Sequence, residues 1–191
     1  MSIVIENLKE ALNGESIAKR KYEMYAQKAK EENHPEIAHL FKAVSFAESI
    51  HIKNHLRALS VIQGSEIKLN DIVSVNEAEL KQKVKDTALN LQDAIDGEIY
   101  ETKKMYKQFE KNASSKGQDV AELSFSLARD AEKVHAELFS KYLKTLKKEK
   151  KIKKQKIYVC QICGNVEFNE PPEICPVCDH SKEFYKEINF D

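Results

Sequence analysis

Apolar residues recur at alternating steps of four and three along four stretches of this chain, the spacing that lines one face of a packed helix. The first stretch runs from about Ile3 to Asn33 and places Leu8, Ala11, Glu15, Ala18, Tyr22, Tyr25 and Ala29 on one seam. NHPE at 33–36 interrupts it, and Pro35 suits the first turn of a new helix, where its missing N–H costs nothing. That second helix is predicted to reach about Gln63, with Phe41, Val44, Glu48, His51, His55, Ala58 and Ile62 on its seam. A linker, GSEIKLNDIVSVN, follows and ends with Ser74 and Glu77 at capping-box spacing. A third helix is predicted over roughly Glu77 to Ala113, with Val84, Ala88, Leu91, Ala94, Glu98, Glu101 and Met105 facing inward. SSKG makes a turn. The fourth helix, about Gln118 to Lys148, presents Phe125, Ala128, Glu132, His135, Phe139, Tyr142 and Leu146.

Four long helices with short connections after the first and third, and one long crossover after the second, predict an all-α four-helix bundle of the ferritin-like kind. The chain also repeats itself. LKEALNGESIAK at 8–19 matches LQDAIDGEIYET 83 positions on, while Glu48 and His51 match Glu132 and His135 84 positions on. Each half is a helical hairpin with a glutamate on its first helix and Glu-x-x-His on its second. The bundle is therefore expected to carry a pseudo-two-fold axis.

Each predicted seam contains a carboxylate where the pattern asks for an apolar side chain. Residues three apart lie one turn apart on the same face, so each Glu-x-x-His aims both heads at one point. A single unpaired buried carboxylate costs several kcal/mol, and five together require counter-charge. The seams offer no lysine or arginine. Two divalent cations would supply the charge, and oxygen ligands with one imidazole per metal suit iron or manganese over copper or zinc. A glutamate from each of two helices plus Glu-x-x-His from each of the other two is the donor pattern of ferritin-like di-iron proteins. The matching residues are Glu15, Glu48, His51, Glu98, Glu132 and His135. Glu101 is a further candidate that breaks the symmetry, since its repeat partner is Ala18. Tyr22 and Tyr106 follow the glutamates of helices one and three by seven and eight residues, within reach of hydrogen bonds to metal-bound carboxylates or of plain core packing. His55 is expected to pack or to support the site, and His34 and His39 to be helix-start and surface residues.

The composition changes abruptly near the C-terminus. Residues 1–148 are expected to form the bundle, 149–156 a basic linker within the lysine-rich KTLKKEKKIKKQK, and 157–191 a small module. The module holds all four cysteines, Cys160-x-x-Cys163 and Cys175-x-x-Cys178, two turns that grasp one tetrahedral metal. A module this small needs such a staple to fold. Spacing alone leaves zinc and iron open. The cytoplasm is the default expectation for a chain that does not read as exported or membrane-spanning, and in that reducing compartment four clustered cysteines favour metal over disulfides. Lys+Arg and Asp+Glu are 31 each, which argues against nucleic-acid or membrane-surface binding. The first fifteen residues do not read as a signal peptide, and no stretch has the apolar length to span a bilayer.

NGES, AESIH, GEIYE and AEKVH in order, followed by CQICG and CPVC, resemble the rubrerythrin family over essentially the whole chain. The resemblance implies two non-haem irons held by Glu15, Glu48, His51, Glu98, Glu101, Glu132 and His135, with Glu48 and Glu132 bridging. It implies that His51 and Glu101 trade places on one iron between redox states. Cys160, Cys163, Cys175 and Cys178 would then hold one redox-active iron, with zinc as the alternative. The implied activity is reduction of hydrogen peroxide to water, with single electrons relayed from a separate reductase or rubredoxin and ultimately from NAD(P)H. The implied assembly is a homodimer in which one subunit's cysteine site approaches the other's di-iron site. Asn165 and Asp179 depart from the usual residues after each cysteine pair. Two other functions compete: an iron-storing ferroxidase, and a zinc-ribbon module for partner binding.

Overall fold

The computed structural model describes residues 3–190. Helices α1 (Ile3–Glu31) and α2 (Pro35–Gln63) form the first hairpin. Asn33 turns the chain at φ 61°, and Gly64 closes α2 at φ 68°, a left-handed position that glycine takes without strain. The crossover 64–76 contains one short 3-10 turn, Leu69–Asp71. The second hairpin comprises α3 (Glu77–Lys83), α4 (Thr87–Tyr100), a π-helical turn (Glu101–Met105), α5 (Tyr106–Ser115) and α6 (Asp119–Lys147). Helix α1 packs along α2, α4 and α5 pack along α6, and α2 meets α6 across the bundle.

The expected third helix is broken. Val84 leaves α3 in an extended conformation, and Asp86 starts α4 by accepting a hydrogen bond from the Leu89 amide at 2.8 Å. The break is locked from both sides. Asn90 bonds both backbone groups of Lys85, and Glu32, in the turn just after α1, accepts from the Thr87 amide at 2.8 Å and its hydroxyl at 2.6 Å. Local caps here outweigh the continuous apolar spacing. The cap of α3 also differs from expectation. Asn76, rather than Ser74, accepts from the Glu79 amide.

Two apolar clusters fill the bundle, and on each long helix the seam glutamates and histidines fall between them. One cluster centres on Tyr22, Tyr25, Phe41 and Phe139, whose rings lie 5.1–6.3 Å apart. The other gathers Leu8, Leu12, Leu59, Tyr106, Phe109 and Phe125. The metal-type donors therefore sit in a dry layer capped above and below by packed rings.

After α6 the chain runs without regular structure to a three-stranded antiparallel sheet in the order β2-β1-β3. Its strands are β1 (Ile157–Cys160), β2 (Val166–Phe168) and β3 (Tyr185–Ile188). Ile157, Val159, Val166 and Ile188 join the same cluster as Phe41 and Phe139, so the sheet shares its core with the bundle. His39 is buried, not on the surface as expected. Its Nε2 lies 2.8 Å from the Ile188 carbonyl and ties β3 to α2.

Phe139 is fully buried between Tyr22 and Phe41, with ring centroids at 5.4 and 5.1 Å. Phe139→Ala is expected to lower unfolding stability by about 3–5 kcal/mol, measured in urea. A loss below about 1 kcal/mol would contradict the packing described.

Candidate metal centres

The seam glutamates and histidines converge into two overlapping groups. Donor atoms of Glu15, Glu48, His51 and Glu132 all lie within 4.8 Å of one another, and so do those of Glu48, Glu98, Glu132 and His135. Glu48 and Glu132 belong to both groups, the position of carboxylates that bridge two ions. Every one of these residues is at most 1% exposed.

Both histidines present the same nitrogen to the carboxylates. His51 Nε2 is 3.0 Å from the Cys163 carbonyl and His135 Nε2 is 3.0 Å from the Gly164 carbonyl. A carbonyl only accepts, so each Nε2 carries a proton and each Nδ1 faces the carboxylates, the orientation of metal-binding imidazoles; His135 Nδ1 is hydrogen-bonded to Glu132 Oε2 at 2.7 Å. His51 Nδ1 lies 2.7 Å from Glu132 Oε1, 2.9 Å from Glu48 Oε2 and 3.5 Å from Glu15 Oε1, yet no angle among them makes a hydrogen bond. Glu15 Oε2, both oxygens of Glu48, Glu98 Oε2 and Glu132 Oε1 are likewise buried without hydrogen-bond partners. Orphaned oxygens around an unpartnered ring nitrogen are the environment a cation completes. The residues present fit a pair of divalent ions.

The electrostatics express the same demand. Burial, then the fields of Glu132, Glu15 and Glu98, push the Glu48 carboxyl well above the usual range. Burial and Glu132 do the same to Glu98. Burial alone would raise Glu15 too, but His51 and His55 beside it hold it below the ordinary value.

Two tyrosines brace the terminal glutamates. Tyr22 donates to Glu98 Oε1 at 2.6 Å, and Tyr106 donates to Glu15 Oε1. These bonds cross between the two halves of the duplication, so each hairpin orients the other's carboxylate. His55 extends the second brace. Its Nε2 is 3.0 Å from the Tyr106 hydroxyl and its Nδ1 2.7 Å from Ser124 Oγ. Ser124 was not anticipated from sequence, because a serine on a charged helix carries no signal until its neighbours are known.

Glu101 stands outside both groups. It is partly buried, and its Oε1 would lie 3.8 Å from a Cβ placed on Gly14, the residue before Glu15. Burial first, and then Glu15, raise its carboxyl well above the usual range. It opens the π-helical turn Glu101–Met105. That turn accommodates one extra residue, which is why Tyr106 follows Glu98 by eight positions while Tyr22 follows Glu15 by seven. The insertion keeps the tyrosine in register and gives Glu101 a place the first hairpin lacks.

The four cysteine sulfurs also lie within 4.8 Å of one another, with Cys160–Cys178 at 3.7 Å and Cys163–Cys175 at 3.6 Å. A tetrahedron with metal–sulfur bonds of ~2.3 Å has edges of about 3.8 Å, so the set fits one ion. The cysteine module lies over the bundle of its own chain, its Cys163 and Gly164 carbonyls against His51 and His135.

The family model for rubrerythrin matches residues 6–143, and that for the rubrerythrin rubredoxin-like domain matches 158–186. The chain belongs to the rubrerythrin family. Rubrerythrin-2 of Clostridium acetobutylicum is 33% identical over 186 residues, covering 94% of this chain and 93% of the relative. Nigerythrin of Nitratidesulfovibrio vulgaris is 34% identical, covering 95% and 84%. A structure of nigerythrin in its fully reduced, all-ferrous state superposes with a TM-score of 0.83 at 31% identity, covering 97% of this chain and 86% of that one. The rubrerythrin fold thus carries a carboxylate–histidine di-iron-type site and a four-cysteine rubredoxin-like site. Among the described residues, no helix is long and apolar enough to cross a membrane.

The raised carboxyls give the metal-free protein a distinctive pH response. Glu48 and Glu98 titrate near 4.5 when unfolded and well above that when folded, so the stability they contribute is present at low pH and lost as pH rises. His55 and His135 are lowered by burial and oppose this only below their ordinary value of 6.5. Chelated protein is therefore expected to melt at progressively lower temperature from neutral to alkaline pH, and divalent iron to abolish that slope. A melting temperature that climbs with pH after chelation would contradict the site's electrostatics.

Proposed function

We propose that this chain reduces hydrogen peroxide to water at a di-iron site held by Glu15, Glu48, His51, Glu98, Glu101, Glu132 and His135. The observation that carries the reading is the direct seating of a four-cysteine module on the two histidines of the carboxylate site. An electron-storing module bonded to both imidazoles serves a reductase, whereas an iron-storing ferroxidase has no use for it.

A di-iron pair held there would supply the two electrons that, with two protons, convert hydrogen peroxide to two waters. The chain's own residues prepare for this. Glu48 and Glu132 span both donor groups and hold the two positions at a fixed spacing. Tyr22 and Tyr106 orient Glu98 and Glu15 and keep their protons close to the reacting centre. The two ring clusters exclude bulk water from the layer. Glu101 would be the residue that exchanges with His51, as the family resemblance implies.

Cys160, Cys163, Cys175 and Cys178 would hold the single relay iron, with zinc as the inactive alternative. The reading includes an outside donor, a reductase or rubredoxin drawing on NAD(P)H, a homodimeric assembly, and activity in the reducing cytoplasm.

Stopped-flow mixing of the anaerobically reduced protein tests the reading. Peroxide is expected to restore the red absorption of the ferric four-cysteine iron faster than dioxygen does. Glu132→Ala is expected to slow that reaction at least a hundredfold, roughly the upper end for residues that support metal ligands. Reoxidation by dioxygen at the same rate as by peroxide would refute the substrate assignment.

A further inference from the structure

The first cysteine turn presents three consecutive carbonyls to the bundle, and each meets one donor. Cys163 and Gly164 bond to His51 and His135, and the Ile162 carbonyl accepts from Asn54 Nδ2 at 2.8 Å. Asn54 lies one turn beyond His51 on α2 and belongs to neither donor group. It is a neutral, half-buried amide that bonds the module's backbone.

Gly164 makes the complementary contribution. A Cβ on it would come within 2.5 Å of His51 Nε2, 3.1 Å of His51 Cδ2 and 3.3 Å of the Ala47 carbonyl. Its φ of 82° is left-handed, but that conformation alone does not explain the glycine. Asp179 occupies the matching place after the second cysteine pair at φ 58°. The two turns close alike, with Gly164 N to Cys160 O at 2.9 Å and Asp179 N to Cys175 O at 3.0 Å. One turn carries an aspartate that is exposed to solvent. The other faces the histidines and has no room for any side chain.

We propose that Asn54 and Gly164 are positioning residues, a clamp that seats the cysteine module on the two histidines and sets the separation of the metal-binding sets. Gly164 permits the approach and Asn54 fixes its register along α2. The proposal rests on the electron-relay reading only for its kinetic consequence, because electron transfer falls steeply with separation. The seating itself can be measured independently.

Asn54→Asp replaces the donor with a carboxylate facing a carbonyl, two acceptors that repel, while Asn54→Gln keeps the amide. In full-length, metal-loaded protein, Asn54→Asp and Gly164→Ala are expected to speed hydrogen–deuterium exchange in peptides covering 160–166 and 47–55 by about tenfold. Metal content and the ferric four-cysteine spectrum should stay unchanged. Peroxide-driven oxidation of the ferrous four-cysteine iron should slow by a similar factor, and Asn54→Gln should recover part of both effects. Wild-type exchange in Asn54→Asp would overturn the clamp whatever the kinetics show. Should Gly164→Ala alter the four-cysteine spectrum, the Asn54 series decides alone. If wild-type protein shows no peroxide-driven oxidation, the functional reading fails while the exchange experiment still judges the clamp.

Discussion

Negative charge confined to a dry layer is the constraint on which the rest of this structure depends. Glu15, Glu48, Glu98 and Glu132 meet inside a bundle with almost no solvent exposure, and the charged partners within ion-pair distance of them are histidine rings. Protons shared with imidazoles compensate only part of such a cluster. The remainder falls to metal ions, and the surrounding features read as provisions for them. Nε2 atoms bonded to backbone carbonyls turn both Nδ1 atoms toward the carboxylates, tyrosines hold the outer carboxylates, and aromatic clusters on both sides keep water out.

Symmetry supplies the pair of sites, and its failure supplies the difference between them. The duplicated hairpins place Glu15 opposite Glu98 and Tyr22 opposite Tyr106, and each tyrosine reaches the other half's glutamate. The extra residue absorbed by the π-helical turn at 101–105 lets that exchange survive while introducing Glu101 on one side only. His55, whose counterpart is Phe139, marks the same asymmetry, since it bonds Tyr106 while Phe139 merely packs against Tyr22. Two equivalent ions would suffice for binding. Glu101 makes the two sides unequal.

Much of this was legible in the residue pattern because period and charge conflict so sharply at the seams. Glu-x-x-His twice, 84 positions apart, marks inward-facing ligands before any helix is placed, and two Cys-x-x-Cys turns mark a tetrahedral site. The break at Val84–Asp86 was not legible, because the apolar spacing continues through it. What ends the helix is Asp86 and Asn90 bonding the backbone, with Glu32 reaching over from the turn after α1. His39 misled for the same reason. Its burial comes from a strand nearly 150 residues later, and only the folded chain brings Ile188 to it. The seating of the cysteine module over its own bundle likewise depends on contacts between distant segments that no local spacing encodes.

The most direct test is anomalous diffraction at the iron edge from crystals of the iron-loaded protein. The account predicts two peaks within the bundle, one beside His51 Nδ1 and one beside His135 Nδ1, each within bonding distance of both Glu48 and Glu132. A single peak in that layer, or two peaks that do not share those carboxylates, would contradict it.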